Sequence, residues 1–406
     1  MTWLILLFFA AFGVAYLLRR RRGKAELEAA LEYRFSFEAD EVFRGEYLTL
    51  CQTVINRSAR PIPFLKLETL MPEGLELVLA GEKTETVRSA ESIWTLRPEE
   101  QIERRWRVLA KKRGIYAAES VELHAVSNDP LGANEFSLLL KPAEGGKSTL
   151  RVLPCAAEEI RNLALTAALT GDASQPQGIL RDPMAYAGVR AYTPSDPLGS
   201  VDWKQSAKLG YPVVRQCEAV RNDAYQVVLN MQTVLIEPHP PALTSPQYLE
   251  ECITVCASLL DSAAGRNIPV RLFANTDPAG LSSGSAAGED GIAANIFASE
   301  EYRTGDNLLE AYRTLAELPL TMSIPVEQMM DEMLADPGRY TSGGNMVFVT
   351  TYLDGRMLNF AAAMRESGVR VIFFVLTSGQ NAPQIPEEIP VYFRLSKWTG
   401  GVGYGW

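Results

Sequence analysis

Two hydrophobic rhythms divide this chain of 406 residues, and the change between them constrains the fold more than any single motif. Between residues 32 and 140 the segments YRFSFEA, EYLTLCQTVIN, FLKLETL, ESIWTL, QIERRWRVLA and SVELHAV partly alternate apolar with polar residues and are rich in β-branched and aromatic types. Period two is the repeat of a strand with one buried face. Turn formers stand between them, among them Arg44-Gly45, Asn56-Arg57-Ser58, Pro72-Glu73-Gly74, Arg113-Gly114 and Asn128-Asp129-Pro130. Short strands at regular spacing predict a β-sandwich of immunoglobulin-like type, without its disulfide.

From residue 222 the rhythm changes. AYQVVLN, IPVRLFA, NMVFVTTYL and VRVIFFVLT are compact apolar blocks. They alternate with stretches of helical period: PQYLEECITVCASLLDSAAG, DNLLEAYRTLAEL, PVEQMMDEMLA and RMLNFAAAMRESG. In the first, Leu249, Cys252, Ile253, Cys256, Leu260 and Ala263 fall on one face. Apolar strands joined by helical crossovers predict a doubly wound, mostly parallel sheet. Residues 275–298 are rich in Gly, Ala and Ser and predict a loop. No internal repeat is present. The expected fold is α+β and multidomain: residues 1–24 an N-terminal transmembrane anchor with a basic flank, 25–145 the β-sandwich, 146–221 a connecting segment, and 222–406 the α/β unit.

The anchor is predicted from the run Trp3–Leu18, WLILLFFAAFGVAYLL, with Arg19, Arg20, Arg21, Arg22 and Lys24 after it. The uncharged stretch from Met1 is 18 residues. At about 1.5 Å per residue it reaches about 27 Å, the span of a thin bilayer. A cleaved signal peptide carries its positive charge before the apolar core, whereas here the charge follows. Positive residues stay inside, so the expectation is a single-pass cell-membrane protein, held in the lipid bilayer through residues 1–24, with its other domains cytoplasmic. The formal net charge is −10 even with those basic residues counted. So acidic a body repels polyphosphate, which argues against nucleic acid as a partner.

Several catalytic routes close on composition. Cys51, Cys155, Cys217, Cys252 and Cys256 are odd in number and scattered. Cys252 and Cys256 share a helix face with no second Cys or His pair to complete a zinc site, and read as buried thiols. Gly146-Lys147-Ser148 copies the end of a phosphate-binding loop, but Lys141 stands where the first Gly is required. The two histidines, His124 and His239, lack a flanking acid to orient a catalytic triad. The sequence predicts no cofactor, no metal and no catalytic residue.

The segment Ala187–Glu218, AGVRAYTPSDPLGSVDWKQSAKLGYPVVRQCE, carries a resemblance. It resembles the signature of the domain-of-unknown-function 58 family at Arg190, Tyr192, Pro194, Asp196, Asp202, Trp203, Lys204, Ser206 and Ala207. Ser195 stands where the family has Gly, Gly199 where it has Arg, and Lys208 replaces a final Arg. The pairs Arg113-Gly114-x-Tyr116 and Asp129-Pro130-Leu131-Gly132 fit the same layout, so the resemblance extends over nearly the whole chain. Tyr192 and Trp203 are expected to bury large apolar faces, which predicts a cost of roughly 3 kcal/mol for truncating Trp203. Asp196 and Asp202 with Arg190 and Lys204 are expected to form a charge-assisted network clamping the motif to the sheet. A carboxylate pair doing acid–base chemistry is the alternative.

The resemblance implies that the α/β unit is similar to a von Willebrand factor A domain. Such domains hold a divalent cation through Asp-x-Ser-x-Ser after the first strand and through a Thr and an Asp from later loops. The matching positions are Asn230, Gln232 and Val234, then Thr350 and Asp354, with Asp277 at the end of the second strand. Neutral amides and a valine do not supply the carboxylate oxygens that a hard cation needs, so the implied site is degenerate, a polar edge offered to a partner. The implied function is a membrane-anchored, non-enzymatic scaffold working with a MoxR-type AAA+ ATPase or a transglutaminase-like membrane protein in assembly or maturation of membrane or envelope complexes. A hydrolase built on the acidic motif and a metal-dependent adhesion module are the competing readings.

Overall fold

The computed structural model describes residues 2–79, 85–117, 121–129, 132–141, 148–158, 160, 180–193, 201–220, 225–233, 246–265, 268–276, 296–303, 306–341, 344–377 and 384–395. The chain divides into two compact units, Met1–Cys155 with Leu315–Glu317, and Ala156–Thr314 with Leu318–Trp406. The architecture is α+β, with both antiparallel and mixed sheets.

The first unit opens with helix α1 (Thr2–Ala30), followed by β1 (Leu31–Phe37), β2 (Glu41–Phe43), β3 (Tyr47–Asn56), β4 (Ile62–Leu70), β5 (Leu75–Leu79), β6 (Glu85–Val87), β7 (Ser89–Leu96), β8 (Gln101–Ala110), β9 (Gly114–Ala117), β10 (Val121–Asp129), β11 (Gly132–Leu140) and β12 (Thr149–Leu153). Two antiparallel sheets, in the orders β1-β3-β8-β5-β6 and β11-β10-β4-β7, contribute to one hydrophobic core. Alternation is what puts it there. Leu48, Leu50 and Val54 of β3, Trp106 and Val108 of β8, Leu65 and Leu67 of β4, and Leu123 and Ala125 of β10 are buried, while many of their neighbours along the strands are not. A small third sheet, β2-β12-β9, completes the unit.

A buried polar network crosses this core. Gln52 is fully buried on β3, donating from Nε2 to Tyr33 Oη at 3.0 Å and accepting at Oε1 from Trp106 Nε1 at 2.7 Å and Thr69 Oγ1 at 3.1 Å. Thr69 belongs to the opposite sheet, so the amide ties the two layers with its polar atoms paired. The turn Pro72-Glu73-Gly74 meets Tyr116 of the Arg113-Gly114-x-Tyr116 stretch. Gly74 stands at φ 120°, and a Cβ there would overlap the Tyr116 hydroxyl.

The N-terminal segment corrects an expectation. Among the described residues no helix is long and apolar enough to cross a membrane. The basic cluster does not end an anchor. Helix α1 runs through Arg19–Lys24 without a break as far as Ala30, and the stretch of it whose side chains are described, Gly13–Ala30, also carries Glu26 and Glu28. Its last turns belong to the β unit: α1 packs on β1 and β11, Leu27 is buried in the core, and Gly23 faces the Phe136 ring. The transmembrane anchor, the bilayer contact through residues 1–24 and the single-pass cytoplasmic placement that rested on them are therefore not supported.

The second unit begins with an antiparallel pair, β13 (Leu180–Ala191) and β14 (Val213–Val220), with the short helix α2 (Trp203–Leu209) between them. Then follow β15 (Tyr225–Leu229), α3 (Pro246–Ala264), β16 (Val270–Ala274), β17 (Phe297–Tyr302), α4 (Asp306–Glu317), α5 (Val326–Ala335), α6 (Pro337–Tyr340), β18 (Asn345–Thr350), α7 (Gly355–Glu366), β19 (Arg370–Thr377) and β20 (Val391–Leu395). The sheet order is β17-β16-β15-β18-β19-β20, parallel throughout except for the antiparallel edge strand β17.

The apolar blocks of the sequence are its inner strands, and both faces are buried, as parallel strands require. Val228, Phe273, Phe348 and Phe373 point into a cluster with Met329, Met330 and Met333 of α5 and Met357, Phe360 and Met364 of α7. The alternate residues Val227, Leu272, Val347, Val349, Ile372 and Phe374 are buried as well. Helix α3 packs against β15, β18 and β19 and is buried well beyond the one predicted face. Its inner hydroxyls return to the helix: Thr254 donates to Glu250 O, Ser258 to Thr254 O and Ser262 to Ser258 O, at 2.7–2.9 Å. Cys252 and Cys256 lie fully buried there, and burial pushes both thiols far above their usual range.

Candidate functional site

Two constellations in the second unit hold the residues singled out from sequence. The first lies at the carboxyl ends of the central strands, where the strand order reverses on either side of β15 and an open α/β sheet forms a crevice. Asn230 follows β15, Asn275 follows β16 and Thr350 ends β18, so three segments far apart in sequence converge. Asn230 Nδ2 donates to Thr350 Oγ1 at 3.1 Å, and Asn230 Oδ1 accepts from Gln232 N at 2.9 Å. Asn275 Oδ1 accepts from Met231 N at 2.7 Å, and Asn275 Nδ2 donates to Ile324 O at 2.9 Å. Thr350 Oγ1 donates in turn to Tyr352 O at 3.0 Å.

Gln232 has a distinct task. Helix α5 starts after Pro325, whose side chain accepts no hydrogen bond, and Gln232 Oε1 takes the N–H of Val326 at 3.1 Å. An orphan helix N–H is thus capped from another strand's loop. Asn230, Gln232, Asn275 and Thr350 are all buried. Asp354 accepts from Met357 N at 2.9 Å as the N-cap of α7. Val234 and Asp277 lie outside the described residues.

This donor set does not suit the divalent cation that a von Willebrand factor A likeness implies. The two amides already serve backbone N–H groups, Thr350 is bonded on both sides, and the carboxylate of the loop caps a helix. Tyr352, beside them, is kept neutral because burial raises its phenol far above the usual range. A neutral phenol and saturated amides supply neither a base nor a nucleophile.

The second constellation is the signature segment. Asp202 is buried at the N-cap of α2 and its Oδ1 accepts from Lys204 N and Gln205 N, both at 3.1 Å. Ser206 Oγ donates to Asp202 O at 2.7 Å and accepts from Val213 N at 2.9 Å, tying the helix to β14. Gly210 closes the helix at φ 77°, its N–H donating to Ser206 O. There the left-handed conformation favours glycine. Tyr192 N donates to Pro212 O and Asp202 N to Val213 O, so both arms of the motif bond to the start of β14 and the residue before it.

No family model matches the chain, and no curated protein matches it. Among solved structures, the alkylpurine DNA glycosylase AlkC of Pseudomonas fluorescens overlaps 27% of this chain and 30% of its own at 16% identity and TM-score 0.15. The sporulation control protein Spo0M of Bacillus subtilis overlaps 29% and 50% at 16% identity and TM-score 0.14. The complex of Zinc 2-glycoprotein with prolactin inducible protein from human seminal plasma overlaps 30% and 93% at 11% identity and TM-score 0.17. This chain therefore spans half or less of the first two, and overlaps so slight carry nothing over to it.

The residues of the signature separate cleanly by role. Asp202 is a helix cap whose carboxylate accepts from backbone N–H groups. Arg190 donates to Ala191 O at 3.2 Å. Trp203, expected as a buried anchor, is 67% exposed, and Tyr211 beside it is 52% exposed. Helix α2 is only two turns long and contributes no buried side chain to the unit, so nothing pulls the indole inward. Tyr192 is half-buried, and Pro194 and Asp196 lie outside the described residues.

Between these aromatics runs an open groove of about 580 Å³, lined by Tyr192, Val201, Trp203, Ala207, Tyr211 and Pro212 with Ser206 and Gly210. Sequence reasoning missed Tyr211 and Gly210 as members. The signal was present, since Gly210-Tyr211-Pro212 is the Gly-x-Pro pattern of a helix stop.

Proposed function

We propose that this chain is a non-enzymatic, partner-binding adaptor and that its docking surface is the aromatic groove of the signature segment. The supporting observation is the exposure of Trp203 and Tyr211 around that groove. Asp202, Ser206 and Gly210 are accounted for by the local fold, whereas two large aromatics left in water are not. Exposed aromatic clusters of this kind are what protein interfaces use as anchors. The strand-end network is the weaker surface, because its side chains are buried and bonded to one another. The family resemblance suggests a MoxR-type AAA+ ATPase as the first partner to try and a transglutaminase-like protein as the second.

The test is capture of the purified MoxR-type ATPase of the same genome by the full chain, alongside the double variant Trp203→Ala, Tyr211→Ala. Loss of capture with an unchanged melting profile is the expected result. Equal capture by the double variant, or turnover of ester or peptide substrates that survives it, would overturn the reading.

A further inference from the structure

Resting on that reading, the groove's surroundings say what chemistry its occupant carries. Trp203, Ser206 and Ala207 form one row of α2, at spacings of three and four residues, and that row lines the groove with Gly210 just past the helix end. Lys204 and Lys208 form the adjoining row, four residues apart, so they stand about one helical turn apart along α2. Both are exposed, and neither makes an ion pair among the described residues. With no counter-charge on them among the described residues, two adjacent like charges repel. In a chain of net charge −10, such a local positive ridge beside an apolar groove is a surface complementary to one kind of ligand.

We infer that the groove binds an extended acidic segment of a partner protein, with an apolar or aromatic side chain in the groove and two carboxylates on Lys204 and Lys208. The spacing fits. One helical turn is about 5.4 Å, and residues two apart in an extended segment lie about 6.6 Å from each other on the same side. An acid-x-acid pattern therefore places both carboxylates over the lysines while the chain passes Trp203. Ammonium groups at the rim steer and select, and the aromatic groove holds.

Fluorescence anisotropy on the full chain tests this with four labelled probes. The first is a twelve-residue Ser/Gly peptide around a Glu-Leu-Glu-Phe core; the second has Lys in place of Glu; the third has Ser in place of Leu and Phe; the fourth is a twelve-nucleotide oligothymidylate. The first is expected to bind at least tenfold more tightly than the others. The double variant Lys204→Glu, Lys208→Glu is expected to weaken it at least tenfold and to raise affinity for the Lys peptide. Trp203→Ala is expected to weaken it by a similar factor without that reversal. No binding of the first peptide at millimolar concentration, equal binding of the Glu and Lys peptides, indifference to the lysine variant, or preference for the oligothymidylate would each overturn the inference. Trp203-dependent capture of the ATPase without charge selectivity would sink this inference alone and leave the docking surface standing.

Discussion

The strand-end network and the signature groove lie in the same unit and were both marked by sequence as polar, functional-looking clusters, yet they are built on opposite principles. At the strand ends Asn230, Gln232, Asn275 and Thr350 are buried and bonded to a backbone group or to one another: Asn230 to Thr350, Asn275 to Met231 and Ile324, Gln232 to Val326. Around Trp203 the polar atoms lock the backbone from beneath, and the large apolar surfaces face outward. The lesson is that polarity alone does not mark a working surface. Saturated buried polar groups fix a loop, while unsatisfied exposure, apolar or charged, leaves something for a partner to cover.

The largest way to break that contrast is Asn275→Leu. The side chain is similar in volume, but Met231 N–H and Ile324 C=O lose their partners in a buried setting, at about 1 to 3 kcal/mol each. A loss of about 3 kcal/mol in chemical denaturation is expected, with peptide and partner binding by the remaining folded protein unchanged. A melt indistinguishable from that of the unaltered chain would show that the network is not what holds the three loops.

A smaller effect is expected from Asp202→Ala. It removes the acceptor of two N–H groups at the start of α2, worth about 1 kcal/mol for an N-cap. A catalytic carboxylate predicts the reverse, a normal melt and a lost activity. Because the cap also presents Trp203, binding at the groove is expected to weaken along with stability. A substitution that restores the cap, Asp202→Asn, is expected to recover most of both.

Much of this was legible and the rest was hidden for physical reasons. The strands around Val228, Phe273, Phe348 and Phe373 stood out because strands buried on both faces read as unbroken apolar blocks. The edge strand Phe297–Tyr302 did not, because FASEEY buries only part of one face and follows a Gly/Ala-rich stretch. The cap at Asp202 was readable as Asp-x-x-Gln before a helix stop. What Asn275 bonds to was beyond reach, since its partners Met231 and Ile324 are 44 and 49 residues away. Helix α1 misled for a related reason. An apolar run does not encode what the helix does beyond it, and the burial of Leu27, past the basic cluster, in the β core is a tertiary contact.

The smallest expected effect on stability is the most informative. Trp defaults to burial when only its type is known, and a buried Trp203 predicts a loss of about 3 kcal/mol or more on truncation. At 67% exposure most of the indole is already in water, so Trp203→Ala removes little transfer free energy and leaves no closed cavity. A loss of at most about 0.5 kcal/mol is expected, the range of ordinary surface substitutions. The same variant is expected to weaken capture at the groove at least tenfold. A side chain that matters little to folding and much to binding has its partner outside the chain. A large destabilisation from Trp203→Ala would mean that the indole is covered by the chain itself, and the signature segment would then join the strand ends as a structural lock.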